Sequence, residues 1–238
     1  MTKLRVLVTG FGPYGNTAIN PSLAVVHALQ KNSGGNSADD GVEIIAKELS
    51  CEFFKCIEET KTYMTDCNPQ AVIMLGEYPA RAMVTVERIA INYNDSTRYG
   101  CSDEAGYAPQ GTKVVDDGPA SYFSTLPLRR IVRDLRAKGI PSDISGDAGT
   151  LMCNHLMYGV LHHVLHTTSG RRRIPVPAGF VHLPALPEMA AREENLGMPS
   201  MTAELACQAV ECIVASIVAN EKSREVDIDE PIKSRLLV

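Results

Sequence analysis

Ala71-Val72-Ile73-Met74-Leu75 is an unbroken apolar run closed by Gly76. A run this short, with no polar position facing water, fits a strand covered on both faces, as in a parallel sheet between helical layers. Working outward, Val42 to Leu49 reads as a strand and Phe53 to Met64 as a helix. Upstream, Arg5-Val6-Leu7-Val8-Thr9 is apolar and β-branched, and a glycine turn leads to a helix from about Pro21 to Gln30, with Leu23, Val26 and Leu29 on one face. Together these segments spell βαβαβ. Downstream the alternation continues: a strand over Val84 to Asn92, a helix over Ser121 to Lys138, a strand over Ile144 to Ala148, a helix over Cys153 to His166, a strand over Gly179 to Leu183 and a closing helix over Met201 to Asn220. The fold expected is α/β, with a mainly parallel twisted sheet between two helical layers. One domain is expected over residues 1–238, with the tail 223–238 unassigned. Sites in such folds form at the carboxyl ends of strands. Three turns fall there, at Gly10, at Gly76 and before Cys153, and the polar stretch Tyr93 to Gly118 is long enough to cover a site.

The bulk properties narrow the classes of function. The net charge of −5 and 21% charged residues argue against a face that neutralises nucleic acid, and the run Arg171-Arg172-Arg173 reads as a solvated loop. No unbroken apolar run approaches the ~18 residues that span a bilayer, and no leader pattern precedes Leu4, so a soluble cytoplasmic protein is expected. Seven cysteines without a C-x-x-C pair suggest neither a disulfide framework nor a zinc site. Cys51, Cys56, Cys67, Cys207 and Cys212 read as small packing or surface residues.

Cys153 differs, because Gly149-Thr150-Leu151-Met152-Cys153 delivers it from a turn onto the start of a helix. There the dipole and free N–H groups are expected to lower the thiol pKa. A thiol nucleophile needs a base and a group that orients the base. Of six histidines, His155, His162, His163 and His166 share the helix that Cys153 begins and read as packing or surface residues, while His27 falls on the first helix. His182, in Phe180-Val181-His182-Leu183-Pro184, ends a strand at the same sheet edge. Glu87, in Val84-Thr85-Val86-Glu87-Arg88-Ile89, is a carboxylate among apolar residues and must be paired, either with the imidazole or with an arginine elsewhere.

Gly10-Phe11-Gly12-Pro13-Tyr14-Gly15 fits G-x-G-x-x-G only superficially. Pro13 lacks an N–H, the helix starts well after Gly15, and no acidic residue follows at the right distance, so a dinucleotide cofactor is not expected. Phe11 and Tyr14 suit the lining of a small apolar pocket, with core packing the simpler alternative.

These segments resemble the pyroglutamyl peptidase I family of cysteine peptidases from about Arg5 to Pro187. The resemblance rests on Val8-Thr9-Gly10-Phe11 with Pro13, Asn20-Pro21, Val86-Glu87-Arg88-Ile89-Ala90-Ile91-Asn92, Asp117 to Pro127, Cys153-Asn154-His155 with Tyr158-Gly159, and Gly179-Phe180 with His182 and Pro184. It implies an α/β/α sandwich that removes N-terminal 5-oxoproline from peptides, with Glu87, Cys153 and His182 as its triad and no metal or organic cofactor. Substrate contacts are implied at Phe11, Tyr14, Asn20, Glu77 and Arg81. The partners implied are N-terminally pyroglutamylated peptides, and a homo-oligomer is possible, because the family includes monomers and larger assemblies. Two loops depart from the family pattern. Gly76-Glu77-Tyr78-Pro79-Ala80-Arg81 stands where the family carries Gly-Gln-Ala-Gly-Gly-Arg, and Asp95 to Cys101 replaces Asp-Ala-Arg-Ile-Pro-Asp-Asn. A rival reading of the altered loops is a binding or regulatory protein with a vestigial triad.

Overall fold

The computed structural model describes residues 3–14, 18–33, 41–167, 176–223 and 231–234. In chain order the elements are β1 (Leu4–Phe11), α1 (Pro21–Ser33), β2 (Val42–Leu49), α2 (Lys55–Cys67), β3 (Ala71–Glu77), β4 (Val84–Glu87), β5 (Ile89–Ile91), β6 (Asn94–Asp95), β7 (Gln110–Thr112), β8 (Ser121–Phe123), α3 (Leu128–Ala137), β9 (Ser142–Ser145), α4 (Met152–Thr167), β10 (Ala178–Leu183), α5 (Pro187–Ala190) and α6 (Ala203–Ser223). Six strands form the main sheet in the order β2-β1-β3-β10-β4-β9. Its neighbours run parallel except at β10–β4, where the direction reverses.

The apolar run at 71–75 became an inner strand because every residue of β3 is buried. Its side chains alternate between two cores. Ile73 and Leu75 pack with Val25, Val26 and Leu29 of α1, Ile131 and Leu135 of α3, and Val210 and Ile213 of α6. Val72 and Met74 pack on the other face with Ile57 of α2 and Leu156, Met157 and Val160 of α4. Burying each such aliphatic side chain contributes about 1.5–3 kcal/mol. These two cores make the three-layer α/β/α sandwich.

Residues Ala203–Glu221 of α6 have the length and mean hydropathy of a membrane-crossing helix. More than half of that span is buried, against α1 and α3.

The strand expected over Val84 to Asn92 is two strands. β4 lies in the main sheet, whereas β5 leaves it after the exposed Arg88 and pairs antiparallel with β8. The helix expected from Ser121 also begins late. Residues 121–123 form β8, and α3 starts only after Pro127, whose ring and missing N–H bar it from a helix interior. The strand expected at 144–148 sits two residues earlier, at Ser142–Ser145, and the short helix α5 had no separate signal. The polar stretch 93–118 is irregular apart from β6, a 3₁₀ turn at Thr97–Tyr99 and β7.

In the tail, Lys233 O accepts from Arg136 Nη1 at 2.8 Å, and Ser234 Oγ donates to Asp143 Oδ2 at 2.7 Å. Residues 224–230 and 235–238 of the tail, the basic run at 171–173 and Gly15 lie outside the described residues.

Candidate active site

The carboxyl end of β1, the carboxyl end of β3 and the start of α4 converge on a cavity of about 400 Å³. Phe11, Pro13, Tyr14, Asn20, Glu77 and Cys153 line it together with Cys51, Phe53 and the loop residues 101–104.

The first wall depends on how α1 begins. Asn20 Oδ1 accepts from the Ser22 N–H at 2.9 Å and from Ser22 Oγ at 2.7 Å, while Asn20 Nδ2 donates to Gly12 O at 2.9 Å. This cap occupies the side chain expected to touch substrate. Asn20 therefore lines the cavity while its polar atoms hold the turn that carries Phe11. A Cβ on Gly10 would stand 2.7 Å from Ser22 O, so the glycine at that turn serves helix packing.

Cys153 is the second residue of α4, reached through Gly149 at φ 80°. Its neighbour Asn154 fixes the helix start. Asn154 Oδ1 accepts from the Ile91 N–H at 2.8 Å, and Nδ2 donates to Ile91 O at 2.9 Å and to Tyr93 O at 3.0 Å. The lowering expected from the helix start meets opposing effects at this site. Burial pushes the Cys153 thiol above its ordinary value, the Glu87 charge pushes it further, and its own backbone N–H opposes them. A helix start favours a thiolate, whereas desolvation and a neighbouring carboxylate disfavour it.

β4 and β10 carry a second group of residues. His182 Nδ1 lies 2.7 Å from Glu87 Oε1, and both side chains are buried. With an acceptor at that distance, Nδ1 is assigned the proton and Nε2 the free lone pair. Glu87 has the arginine partner as well, because Arg81 Nη1 donates to Glu87 Oε1 at 2.8 Å and to Thr85 Oγ1 at 2.6 Å, and Nη2 donates to Ser145 Oγ at 3.1 Å. Both pairings foreseen for Glu87 are thus present at one oxygen. Burial would raise the Glu87 carboxyl, but the His182 hydrogen bond and charge, with help from Ser145 and Arg81, hold it below the usual range. Arg81 is not among the residues lining the cavity, and its guanidinium is held by Glu87, Thr85 and Ser145.

Gly76 joins the two groups. It is the register partner of His182, and a Cβ there would stand 3.0 Å from Cys153 Sγ and 2.7 Å from Phe180 Cζ. Only a glycine lets the sulfur lie against the strand beside the histidine. The imidazole is flanked by the rings of Phe180 at 4.9 Å and Tyr78 at 5.4 Å.

At the polar end of the cavity, Tyr14 and Glu77 share a hydrogen bond. Burial raises both groups above their ordinary values. The far wall had only a weak signal in the sequence, the length of the polar loop. There Asp103 Oδ2 accepts from the Phe53 N–H at 2.9 Å and Oδ1 from the Tyr107 N–H at 2.7 Å. Cys51, read as a packing residue, is buried and also lines the cavity; its thiol donates to Gly12 O at 3.4 Å. His155 is a packing residue as expected, with Nε2 accepting from the Phe54 N–H at 2.8 Å and Nδ1 lying 3.1 Å from Asn94 Oδ1. Among the described residues no group of three or more His, Cys, Asp or Glu could hold a metal ion.

A three-layer α/β fold with a thiol at a helix start belongs, with its relatives, to the cysteine peptidases, a class of hydrolases. The family model for pyroglutamyl peptidase matches residues 4–221, and the chain belongs to that family. It is 46% identical over 238 residues to a pyrrolidone-carboxylate peptidase of Mycobacterium marinum, covering all of both chains. A Mycobacterium tuberculosis protein of the same name is 43% identical over 234 residues, 98% of this chain and 99% of that one. Among solved structures, pyroglutamyl peptidase I from Bacillus amyloliquefaciens superposes with a TM-score of 0.83 at 29% identity, covering 96% of this chain and 100% of that one. Pyrrolidone carboxyl peptidase from Thermococcus litoralis also gives 0.83, at 33% identity and the same coverage.

Proposed function

We propose that the chain hydrolyses the amide bond after an N-terminal 5-oxoprolyl residue of peptides, with Cys153 as nucleophile, His182 as acid and base, and Glu87 as the group that orients His182. The observation that carries this reading is Gly76, which brings Cys153 Sγ against the strand position paired with His182. The Cys153 proton passes to His182 Nε2 as Sγ attacks the 5-oxoprolyl carbonyl. Backbone N–H groups at the start of α4 face the developing oxyanion. His182 then hands its proton to the departing amine, and water, activated by the same imidazole, hydrolyses the thioester. Glu87 balances the imidazolium that forms twice in this cycle, and Arg81 keeps Glu87 ionised. Phe11 and Tyr14 hold the flat ring, with Glu77 at its polar edge.

The family match over residues 4–221 supports one catalytic domain, and seven free cysteines fit the reducing cytoplasm.

The test compares kcat/KM for 5-oxoprolyl, prolyl and glutaminyl amides in wild type and in Phe11→Ala. The 5-oxoprolyl amide is expected to be preferred by a factor on the order of 10⁴, since a site built to bond a polar ring leaves groups unpaired with the wrong one. Phe11→Ala is expected to weaken that preference. Equal turnover of prolyl and 5-oxoprolyl amides overturns the specificity, and saturable binding without turnover of any of the three overturns the catalytic reading.

A further inference from the structure

Glu77 is 7% exposed at the end of β3, and its Oε2 has no hydrogen-bond partner although it is buried. Tyr14 is hydrogen-bonded to the same carboxyl group. No lysine or arginine is among the described residues lining the cavity, so no cation there offsets a buried charge. The other ionisable groups around it are the thiols of Cys51, Cys101 and Cys153, the carboxylates of Asp103 and Glu104 across the cavity, and His182 on the neighbouring strand β10.

A five-membered lactam is a cis amide, so its N–H and C=O lie side by side on one edge. A neutral carboxylic acid presents the complementary pair, one oxygen that accepts and one O–H that donates. A carboxylate cannot donate, and its charge would favour the cationic ring amine of a prolyl terminus over the neutral lactam. We propose that Glu77 binds the 5-oxoprolyl ring as a neutral acid, its Oε2–H donating to the lactam C=O while the other carboxyl oxygen accepts the lactam N–H. The inference deepens the functional reading above and rests on it for the identity of the ring. Tyr14 fixes the carboxyl rotamer, and the orphaned Oε2 is the donor that waits for the ring carbonyl. The direction in which burial moves Glu77 is the one this role requires.

The probe is 2-pyrrolidone, the bare lactam, titrated calorimetrically into Cys153→Ala between about pH 5 and 9, a range that spans raised carboxyl values. With Glu77 intact, the Kd is expected to rise on the order of tenfold across the range as the donor is lost. In Cys153→Ala/Glu77→Gln that rise disappears, because an amide keeps its donor at every pH. The double variant with Glu77→Ala binds at least tenfold more weakly at the acid end, after circular dichroism shows an intact fold. His182 is present in all three proteins, so its contribution cancels. The same rise in the Glu77→Gln protein, equal affinity in a folded Glu77→Ala protein, or no lactam binding at any pH overturns the proposal. Lactam binding that follows the expected pattern, in a wild-type chain that turns over no 5-oxoprolyl amide, overturns the functional reading instead.

Discussion

Glu87 Oε1 receives His182 Nδ1 at 2.7 Å and Arg81 Nη1 at 2.8 Å, so one buried oxygen serves both an imidazole and a guanidinium. Glu87→Gln leaves the shape of this contact and removes the charge. It is expected to lower kcat by roughly 10²-fold or more, with His182 free to take the wrong tautomer. Steady-state kinetics across pH checks this, and an unchanged profile would make Glu87 a purely structural partner of Arg81.

Arg81→Ala is expected to lower kcat without moving KM, since Arg81 touches Glu87 and lies outside the cavity lining. Removing one partner of a buried pair costs ~3–5 kcal/mol, and the loss here should be smaller because His182 remains and Arg81 is 17% exposed. Urea unfolding measures the stability change. A rise in KM alone would return Arg81 to the substrate.

Alkylation of Cys153 by iodoacetamide, followed residue by residue with mass spectrometry, is expected to accelerate with pH and to show no plateau below about pH 9. The reason is that burial and the Glu87 charge push the resting thiol above its ordinary value. A plateau already present near neutral pH would instead reveal a standing thiolate–imidazolium pair.

Gly76→Ala places a methyl group 2.7 Å from Phe180 Cζ and 3.0 Å from Cys153 Sγ. The sulfur or the ring must move. A loss of more than tenfold in kcat is expected, with about 1–3 kcal/mol of stability lost to overpacking. Activity equal to wild type would show that Sγ need not lie against β3.

Burial lowers His155 to about 3, so the folded chain keeps it neutral where the unfolded chain binds a proton. The stabilising effect is complete above about pH 6.5 and is lost as pH falls from there toward 3, by an amount on the order of a few kcal/mol. Glu77, raised in the fold, has the opposite sign and favours the folded chain where it stays protonated. Denaturant midpoints measured from about pH 4 to about pH 8, a range that brackets the ordinary carboxyl and imidazole values, should therefore fall on the acid side. His155→Gln, which can still accept from Phe54 and donate to Asn94, should flatten that fall.

The sequence by itself determined the layer order and the strand ends at which the site forms. An unbroken run such as 71–75 can be satisfied only between two apolar layers, and a carboxylate such as Glu87 among β-branched neighbours must find a partner. Local pattern also placed Cys153 at a helix start and His182 at the end of a strand. Tertiary structure alone decided what those groups meet. The break at Arg88 sends β5 out of the main sheet, where Asn154 ties it to α4, and no periodicity marks that turn. Arg81 and Asn20 carry polar groups that suit a substrate, and the fold also gives them partners within the protein that no local pattern marks. The same holds for the Cys153 thiol. Helix position is a local property and favours the thiolate, whereas burial and the Glu87 charge come from distant segments and oppose it.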